Sequence, residues 1–299
     1  MMDLHALRQF AVVARLEHLS RAARELRVAQ PSLSRTIARL EHELGTPLFD
    51  RAGRLRLNDA GRLFLGHVER ALGELDAGRR ALAERAGDGF GTVRLASETF
   101  LTLTGPLAAF KRAHPSVEVE LHQMEAEEMA RRLRAQEVDL CVASQPVPTE
   151  GLEAVRLLDE PVWVITPLGH PLAPLADGGA VSVTDLADEP FVTTREGHWQ
   201  RRLLDRLFAD HGLPSPRIVC EGDEPSATAI LVAAGLGLAL IPDMARRSAT
   251  RAPVAWLRVD SPDCLRTLTL LRGATGRPTS AARLMHATLT GWDWTAGPV

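Results

Sequence analysis

Apolar residues recur every three to four positions over roughly the first 85 residues, and this rhythm predicts helices. Leu4, Leu7, Phe10, Ala11 and Ala14 space a first helix, with Asp3 placed to cap it. Ala22, Ala23 and Leu26 space a second, from about Ser20 to Arg27, with the Ser20 hydroxyl as the expected N-cap. Leu33, Ile37, Leu40 and Leu44 space a third, from Gln30 to Leu44, whose other face carries Gln30, Ser32, Ser34, Arg35 and Arg39. TPLFDRAGRLRLN then reads as a short hairpin with Ala52-Gly53 near its tip and Arg51, Arg54 and Arg56 along it. A long helix comes next, from an Asn58 or Asp59 cap to about Arg85. Phe64, Val68, Leu72, Leu75 and Leu82 form its apolar stripe, which Arg79 interrupts. At this length it spans on the order of 40 Å and has no core of its own, so the stripe needs a partner.

GDGFG (87–91) reads as a flexible joint, and from Thr92 the pattern becomes α/β. Expected strands are 93–97, 117–122, 139–144, 162–167, 191–194, 236–242 and 268–272. Helical stretches at 105–113, 125–136, 199–211, 225–234 and 279–290 separate several of them. This alternation predicts mostly parallel sheets with helices on both faces.

The 299 residues are enough for two or more domains, each with its own core. A hydrophobic share of 45% and a charged share of 24% are ordinary for a soluble globular protein. The net charge of −3 argues against a generic polyanion binder, but the charge is uneven. Residues 1–60 hold ten Arg against seven acids, so a basic N-terminal segment sits on an acidic body, which suits local DNA binding. Lys111 is the one lysine, and the Arg bias covers the whole chain. The first ten residues show no signal-peptide pattern and no stretch approaches 18 uncharged apolar residues, so a cytoplasmic protein without membrane contact is expected. Cys141, Cys220 and Cys264 lie far apart, without CxxC spacing, and the ten His have no metal spacing. Neither a metal nor a cofactor is expected. GxSxG, HExxH, GxxxxGK[ST] and a helix-opening GxGxxG are absent, and Gly235-Leu236-Gly237 follows a helix rather than opening one. No enzyme is therefore expected.

Residues 18–57 carry the densest signal. Two short helices joined by a tight turn form a helix-turn-helix, whose second helix enters a major groove. Amide and guanidinium groups read base edges there, while hydroxyls and further arginines hold phosphates. The words SRAARELRVAQPSLSRTIARLEHELGTPLFDR and RLRLNDAG resemble the N-terminal domain of the LysR-type transcriptional regulators. One departure is Ala29, where the family usually has Ser or Thr; Pro31, in the first helical turn, offsets part of the lost cap. The same stretch would also suit an ordinary pair of surface helices, and the long helix could instead pack on its own C-terminal domain.

The resemblance implies an N-terminal all-α winged helix-turn-helix plus long linker helix, and a C-terminal α/β two-lobed periplasmic-binding-protein-like effector domain. The expected domains are 1–58 for DNA binding, 59–88 for the linker and dimerisation helix, and 92–299 for regulation. Lobe I takes 92–161 and 266–299, and lobe II takes 162–265. It implies a dimer or tetramer on an interrupted inverted repeat of double-stranded DNA, a small-molecule effector and contact with RNA polymerase. Gln30, Pro31 and Arg35 are expected to read bases. Ser20, Arg21 and Ser34 would hold phosphate, with Ser32 and Arg39 on the same face. Arg51 would enter the minor groove from the wing, which also carries Arg54.

Ligands of such sheets bind where strands end and helices begin. The expected effector-binding residues are Ser97, Glu98, Thr99, Phe100, Gln123, Glu125, Ser144 and Pro146 from one lobe. Thr194, Arg195, His198, Trp199, Glu221 and Asp223 would come from the other. Thr194 and Arg195 would suit an anion, whereas Glu98, Glu125 and Glu221 would repel one. The expected effector therefore has a cationic or hydrogen-bond-donating group and an apolar part for Trp199 or Phe100. A solute-binding protein would share the C-terminal fold but would need an export signal and no helix-turn-helix. A regulator that has lost effector control is the milder alternative.

Overall fold

A computed structural model describes residues 3–51, 53–85, 91–222, 225–247, 252–274 and 278–295. Ala52 of the expected hairpin tip, most of the expected joint at 87–91, and Asp223 lie outside them.

The N-terminal helices are α1 (Leu4–Leu16), α2 (Leu19–Glu25) and α3 (Gln30–Leu44). Asp3 caps α1, its Oδ1 accepting the Ala6 N–H at 2.7 Å. The expected Ser20 cap is corrected: α2 starts one residue earlier, and His18 caps it through Nδ1, which accepts the Arg21 N–H at 3.4 Å. Ser20 is thus already inside the first turn and exposed. The helix also ends earlier than expected, at Glu25, and Arg27 takes a left-handed φ of 53° in the turn to α3. Ala29 supplies no side-chain cap to α3, and Pro31 sits in its first turn. Phe10, Val13, Ala22, Leu33, Ile37 and Leu40 form the core of this bundle.

The strands β1 (Phe49–Asp50) and β2 (Arg56–Leu57) pair antiparallel as a short wing. They lead into α4 (Asp59–Arg85), capped by Asn58, whose Oδ1 accepts the Gly61 N–H at 2.8 Å. Gly61 is needed here, because a Cβ would stand 2.1 Å from the Leu48 carbonyl oxygen. Val68 is buried, and Phe64 and Leu72 pack on the N-terminal core. Leu63, Leu75 and Leu82 remain exposed.

The C-terminal part runs β3 (Thr92–Ser97), α5 (Thr104–Ala113), β4 (Glu118–Gln123), α6 (Ala126–Arg134), β5 (Leu140–Ala143) and β6 (Leu152–Pro167). It continues with β7 (Ala180–Val181), β8 (Pro190–Thr193), α7 (Trp199–Asp210), β9 (Arg217–Glu221), α8 (Pro225–Ala233) and β10 (Ala239–Pro242). The final elements are α9 (Asp243–Arg246), β11 (Val254–Val259), β12 (Leu265–Gly273) and α10 (Ser280–Gly291). The long β6 belongs to two lobes. Its first half pairs β12, in the order β4-β3-β5-β12-β6, and its second half pairs β10 and β11. Each lobe is layered: α5 and α10 cover one face of the first sheet and α6 the other. In the second lobe α7 and α8 bury Phe191, Leu204 and Phe208, and Ile165 and Val232, respectively.

The expectation of mostly parallel sheets is corrected to mixed ones. Strands β3, β4 and β5 are mutually parallel, as are β8 and β9, but β12 runs antiparallel to β5 and β6, and β10 and β11 run antiparallel to β6. The cause is the double crossing: the chain leaves the first lobe along β6 and returns along β12, so the two crossing strands oppose each other, with Leu265 opposite Pro161. Strands β7, β9 and β11 and the first half of β6 were not expected. Helix α4 also touches the first lobe: Gly73 seats against Ala135 and Gln136, between a Glu69–Arg131 pair at 3.4 Å and a Gln136–Glu74 hydrogen bond at 2.6 Å.

Candidate functional site

Two sites emerge. The first is the outer face of α3. Leu33, Ile37 and Leu40 turn inward, and this leaves Gln30, Pro31, Ser32, Arg35 and Arg39 exposed and Ser34 half-buried. Ser20 and Arg21 are exposed at the start of α2. The Arg35 Nε donates to the Pro31 carbonyl at 3.3 Å, which lays the guanidinium back along its own helix. Arg54 is exposed beyond the wing tip. Arg51 is held rather than free: its Nη2 donates to Glu41 Oε2 at 2.7 Å.

The second site lies between the lobes. Gln123, Met124, Glu125 and Glu128 of the first lobe and Arg195 and His198 of the second line a groove of about 400 Å³. Arg131, then Arg132, hydrogen-bond the Glu128 carboxylate and pull it down to about 2. Beneath the groove Glu98 is 2% exposed. Its Oε2 accepts the Ser144 N–H at 2.7 Å, and its Oε1 accepts from the Gln145 amide. The same amide donates to the Gly197 carbonyl at 3.0 Å, across the cleft. Burial pushes the Glu98 carboxyl up to about 7, against the Ser144 N–H, the Gln145 amide, the Trp199 N–H and the Arg266 charge.

The other expected residues divide by position. Trp199, His198 and Thr194 are buried at this seam. The Ser97 hydroxyl is occupied, with the Thr99 and Val142 carbonyls at 3.0 and 3.1 Å as acceptors for its one proton. Gln123 donates to the Glu98 carbonyl at 3.2 Å, and Thr99 is half-buried. Phe100 and Pro146 are exposed. Glu221 is tied to Arg201 of α7 at 2.5 Å. The structure therefore brings Glu98, Ser144, Gln145 and Trp199 into one cluster, and Gln123, Glu125, Arg195 and His198 around one groove. Among the described residues no helix is long and apolar enough to cross a membrane, and no group of three or more His, Cys, Asp or Glu could hold a metal ion.

Residues 4–62 match the family described as bacterial regulatory helix-turn-helix protein, lysR family, and residues 86–293 match the LysR substrate binding domain. The chain belongs to the LysR-type transcriptional regulators. It is similar to the transcriptional dual regulator GltC of Bacillus subtilis (strain 168), 33% identical over 91% of each chain. Among solved structures, a full-length OxyR variant from Pseudomonas aeruginosa shares its fold. There the TM-score is 0.64 at 23% identity, over 98% of this chain and 96% of that one. Full-length CbnR, solved in complex with its target DNA, also shares the fold, with a TM-score of 0.56 at 22% identity over 96% of this chain and 99% of that one.

Two features of this LysR-type regulator were missed in the sequence. One is the pair of carboxylates that tie the wing to the helices. Glu41 Oε1 accepts the Leu48 and Phe49 N–H groups at 2.8 and 3.2 Å, and Glu17 Oε1 accepts the Leu57 N–H at 2.9 Å. Glu41→Ala is expected to cost about 1–3 kcal/mol, because two backbone donors at buried residues lose their acceptor. It should also free Arg51. Thermal unfolding and gel shift of the variant read the two effects separately; an unchanged midpoint would mean that the wing holds without Glu41.

The other is Arg266, on β12 directly opposite Glu160 on β6 at the crossing between lobes. Both are 2% exposed. Arg266 Nε donates to Glu160 Oε1 at 2.6 Å, Nη1 reaches Thr102 at 3.3 Å, and the guanidinium lies 5.1 Å from the centre of the Trp199 ring. The available signal was parity: Arg266 shares its strand face with Leu268 and Leu270, both buried. A charge on that face demands a buried partner.

Proposed function

We propose that this LysR-type regulator binds an interrupted inverted repeat of double-stranded DNA as a dimer or a dimer of dimers. A two-fold assembly of recognition helices requires half-sites one helical turn apart, or a multiple of it. In this reading residues 1–58 bind DNA, 59–88 link and pair subunits, and 92–299 regulate. Residues 92–161 and 266–299 form lobe I, and 162–265 form lobe II. Gln30, Pro31 and Arg35 read base edges; Ser20, Arg21 and Ser34 hold phosphate; Ser32 and Arg39 lie on the same face; Arg51 enters the minor groove from the wing, which also carries Arg54. The observation that carries the reading is the amphipathic α3, with one face buried in the core and Gln30, Ser32, Arg35 and Arg39 exposed on the other. The exposed Leu63, Leu75 and Leu82 on α4 favour subunit pairing along that helix.

A small-molecule effector would bind between the lobes, within reach of the Glu98 cluster and the groove lined by Gln123, Glu125, Arg195 and His198. Its binding would shift lobe or dimer geometry, which requires different affinities for the two states. Contact with RNA polymerase and a cytoplasmic location complete the reading. The test is a gel shift with the DNA immediately upstream of the protein's own gene, in excess unrelated competitor. Arg35→Ala should lose about 1–3 kcal/mol of discrimination at one base pair. Arg21→Ala should weaken all sequences alike and lower the salt slope by about one. Unchanged specific binding by Arg35→Ala would remove α3's outer face from base reading.

A further inference from the structure

We propose that Glu98 is a resident occupant of the inter-lobe cleft: its carboxyl group fills the donor set that would otherwise receive an acceptor oxygen of a small molecule. It thereby closes one lobe on the other until an effector displaces it. The inference rests on the reading of the cleft as the effector site. Glu98 extends from the end of β3, and its donors come from both lobes. The Ser144 N–H and Gln145 amide belong to the first lobe, and the Trp199 N–H, in the first turn of α7, belongs to the second. A carboxyl group on the first-turn N–H of a helix occupies the place a bound anion would take. Gln145 extends the closure by donating to the Gly197 carbonyl.

The lobes meet closely here. Gly197 has a φ of 92°, and a Cβ on it would stand 2.6 Å from a Glu125 carboxylate oxygen. At the rim Arg202 of α7 donates to Glu127 of α6 at 2.8 Å. Two hydroxyls at the seam, Ser144 Oγ and Thr194 Oγ1, are buried without a hydrogen-bond partner among the described residues. Their residues are 4% and 5% exposed, so polar capacity remains for an incoming ligand.

Closure is also linked to a proton. The charge that bears on Glu98 is Arg266 on β12, already paired with Glu160 on β6, and the other titratable residues at the seam are His198 ahead of α7 and Glu125 ahead of α6. Burial outweighs the opposing hydrogen bonds and the Arg266 charge and pushes the carboxyl up to about 7. A carboxyl whose pKa rises on burial holds its proton more tightly in the closed form. Protonation therefore favours closure, and raising the pH through 7 loosens it.

The experiment uses full-length Glu98→Ala with propionate and propionamide, which carry the carboxyl group that the variant lacks and a neutral amide in its place. Thermal unfolding and tryptophan fluorescence are followed during titration. Propionate should raise the midpoint of the variant and bind about tenfold tighter at pH 6 than at pH 8, because the site takes up the acid form. Propionamide should bind equally at both, and the wild type should respond to neither. A folded Glu98→Ala that ignores both compounds, or a wild type that responds as strongly, overturns the proposal. If Glu98→Ala does not fold, Glu98→Gln is read by its pH profile. The wild-type fluorescence change between pH 6 and 8 should vanish in it, and persistence of the change overturns the proposal. Gel shifts on the same preparations test the regulator reading separately: lost operator binding with an intact propionate response leaves the occupancy standing and removes its regulatory meaning.

Discussion

Replacing Arg266 with leucine is expected to destabilise the C-terminal region by about 3–5 kcal/mol, the largest effect of any substitution considered for this protein. The magnitude does not come from the attraction between Arg266 and Glu160 taken alone. Two charges removed from water incur a large desolvation cost, which their mutual attraction roughly offsets. Loss of one partner leaves the other buried with its cost uncompensated. Among the described residues Glu160 would keep the Met244 N–H, now at 2.6 Å, and Thr102 would lose the Arg266 donor. The double variant Glu160→Leu with Arg266→Leu should recover most of the loss, since a well-packed apolar pair often equals a buried ion pair. Recovery would be incomplete, because the Met244 N–H remains without its acceptor. Denaturant titration followed by tryptophan fluorescence is the appropriate readout, because all five tryptophans lie between 163 and 294 and so report on this region. A single variant within about 0.5 kcal/mol of wild type would mean that the pair is solvated in solution.

The second large effect is a pH dependence traceable to Glu98. Its carboxyl rises from 4.5 to about 7 on folding, chiefly through burial. The folded state then holds this proton over a range where the unfolded chain has lost it, so stability falls as pH rises between those values. Below 4.5 both states are protonated and the penalty is absent; above 7 it is fully developed, at about 3 kcal/mol. Glu98→Gln removes the titration while keeping an acceptor for the Ser144 N–H. Its stability relative to wild type should therefore improve by most of that amount between pH 5 and pH 8. Contributions from other groups are common to both proteins and cancel in the difference. Parallel stability profiles would show that Glu98 titrates as an exposed carboxylate.

Helices were the most legible part of the sequence. The spacing of Leu33, Ile37 and Leu40 places one face of α3 in the core and hands Gln30, Ser32, Arg35 and Arg39 to the other. Asp3 and Asn58 cap by contacts three residues away, which a local reading can find. At α2 the local reading failed: Ser20 was expected to cap, but the helix begins one residue before it and His18 takes the role. Strands were less legible. The first half of β6 is mostly exposed or half-buried with no clear alternation, and β9 alternates only between exposed and half-buried positions while Ile218, Val219 and Cys220 run consecutively as apolar residues.

By itself, then, the sequence determined the helical N-terminal region, the face that α3 presents, the long α4 and the α/β character of the C-terminal region. These depend on contacts within a few residues, where periodicity and capping act directly. Only the tertiary structure decided how the lobes are joined and which polar groups meet inside them. Glu160 and Arg266 lie 106 residues apart, and Glu98 meets Gln145 across 47. Their meeting depends on a strand shared between two sheets and on the antiparallel return of β12. The tying of Arg51 to Glu41, ten residues away, likewise results from where the wing folds back on α3. For Glu98, Glu160 and Arg266 the partners come from far along the chain and burial then sets the energy of the charge, whereas Arg51 stays exposed beside Glu41.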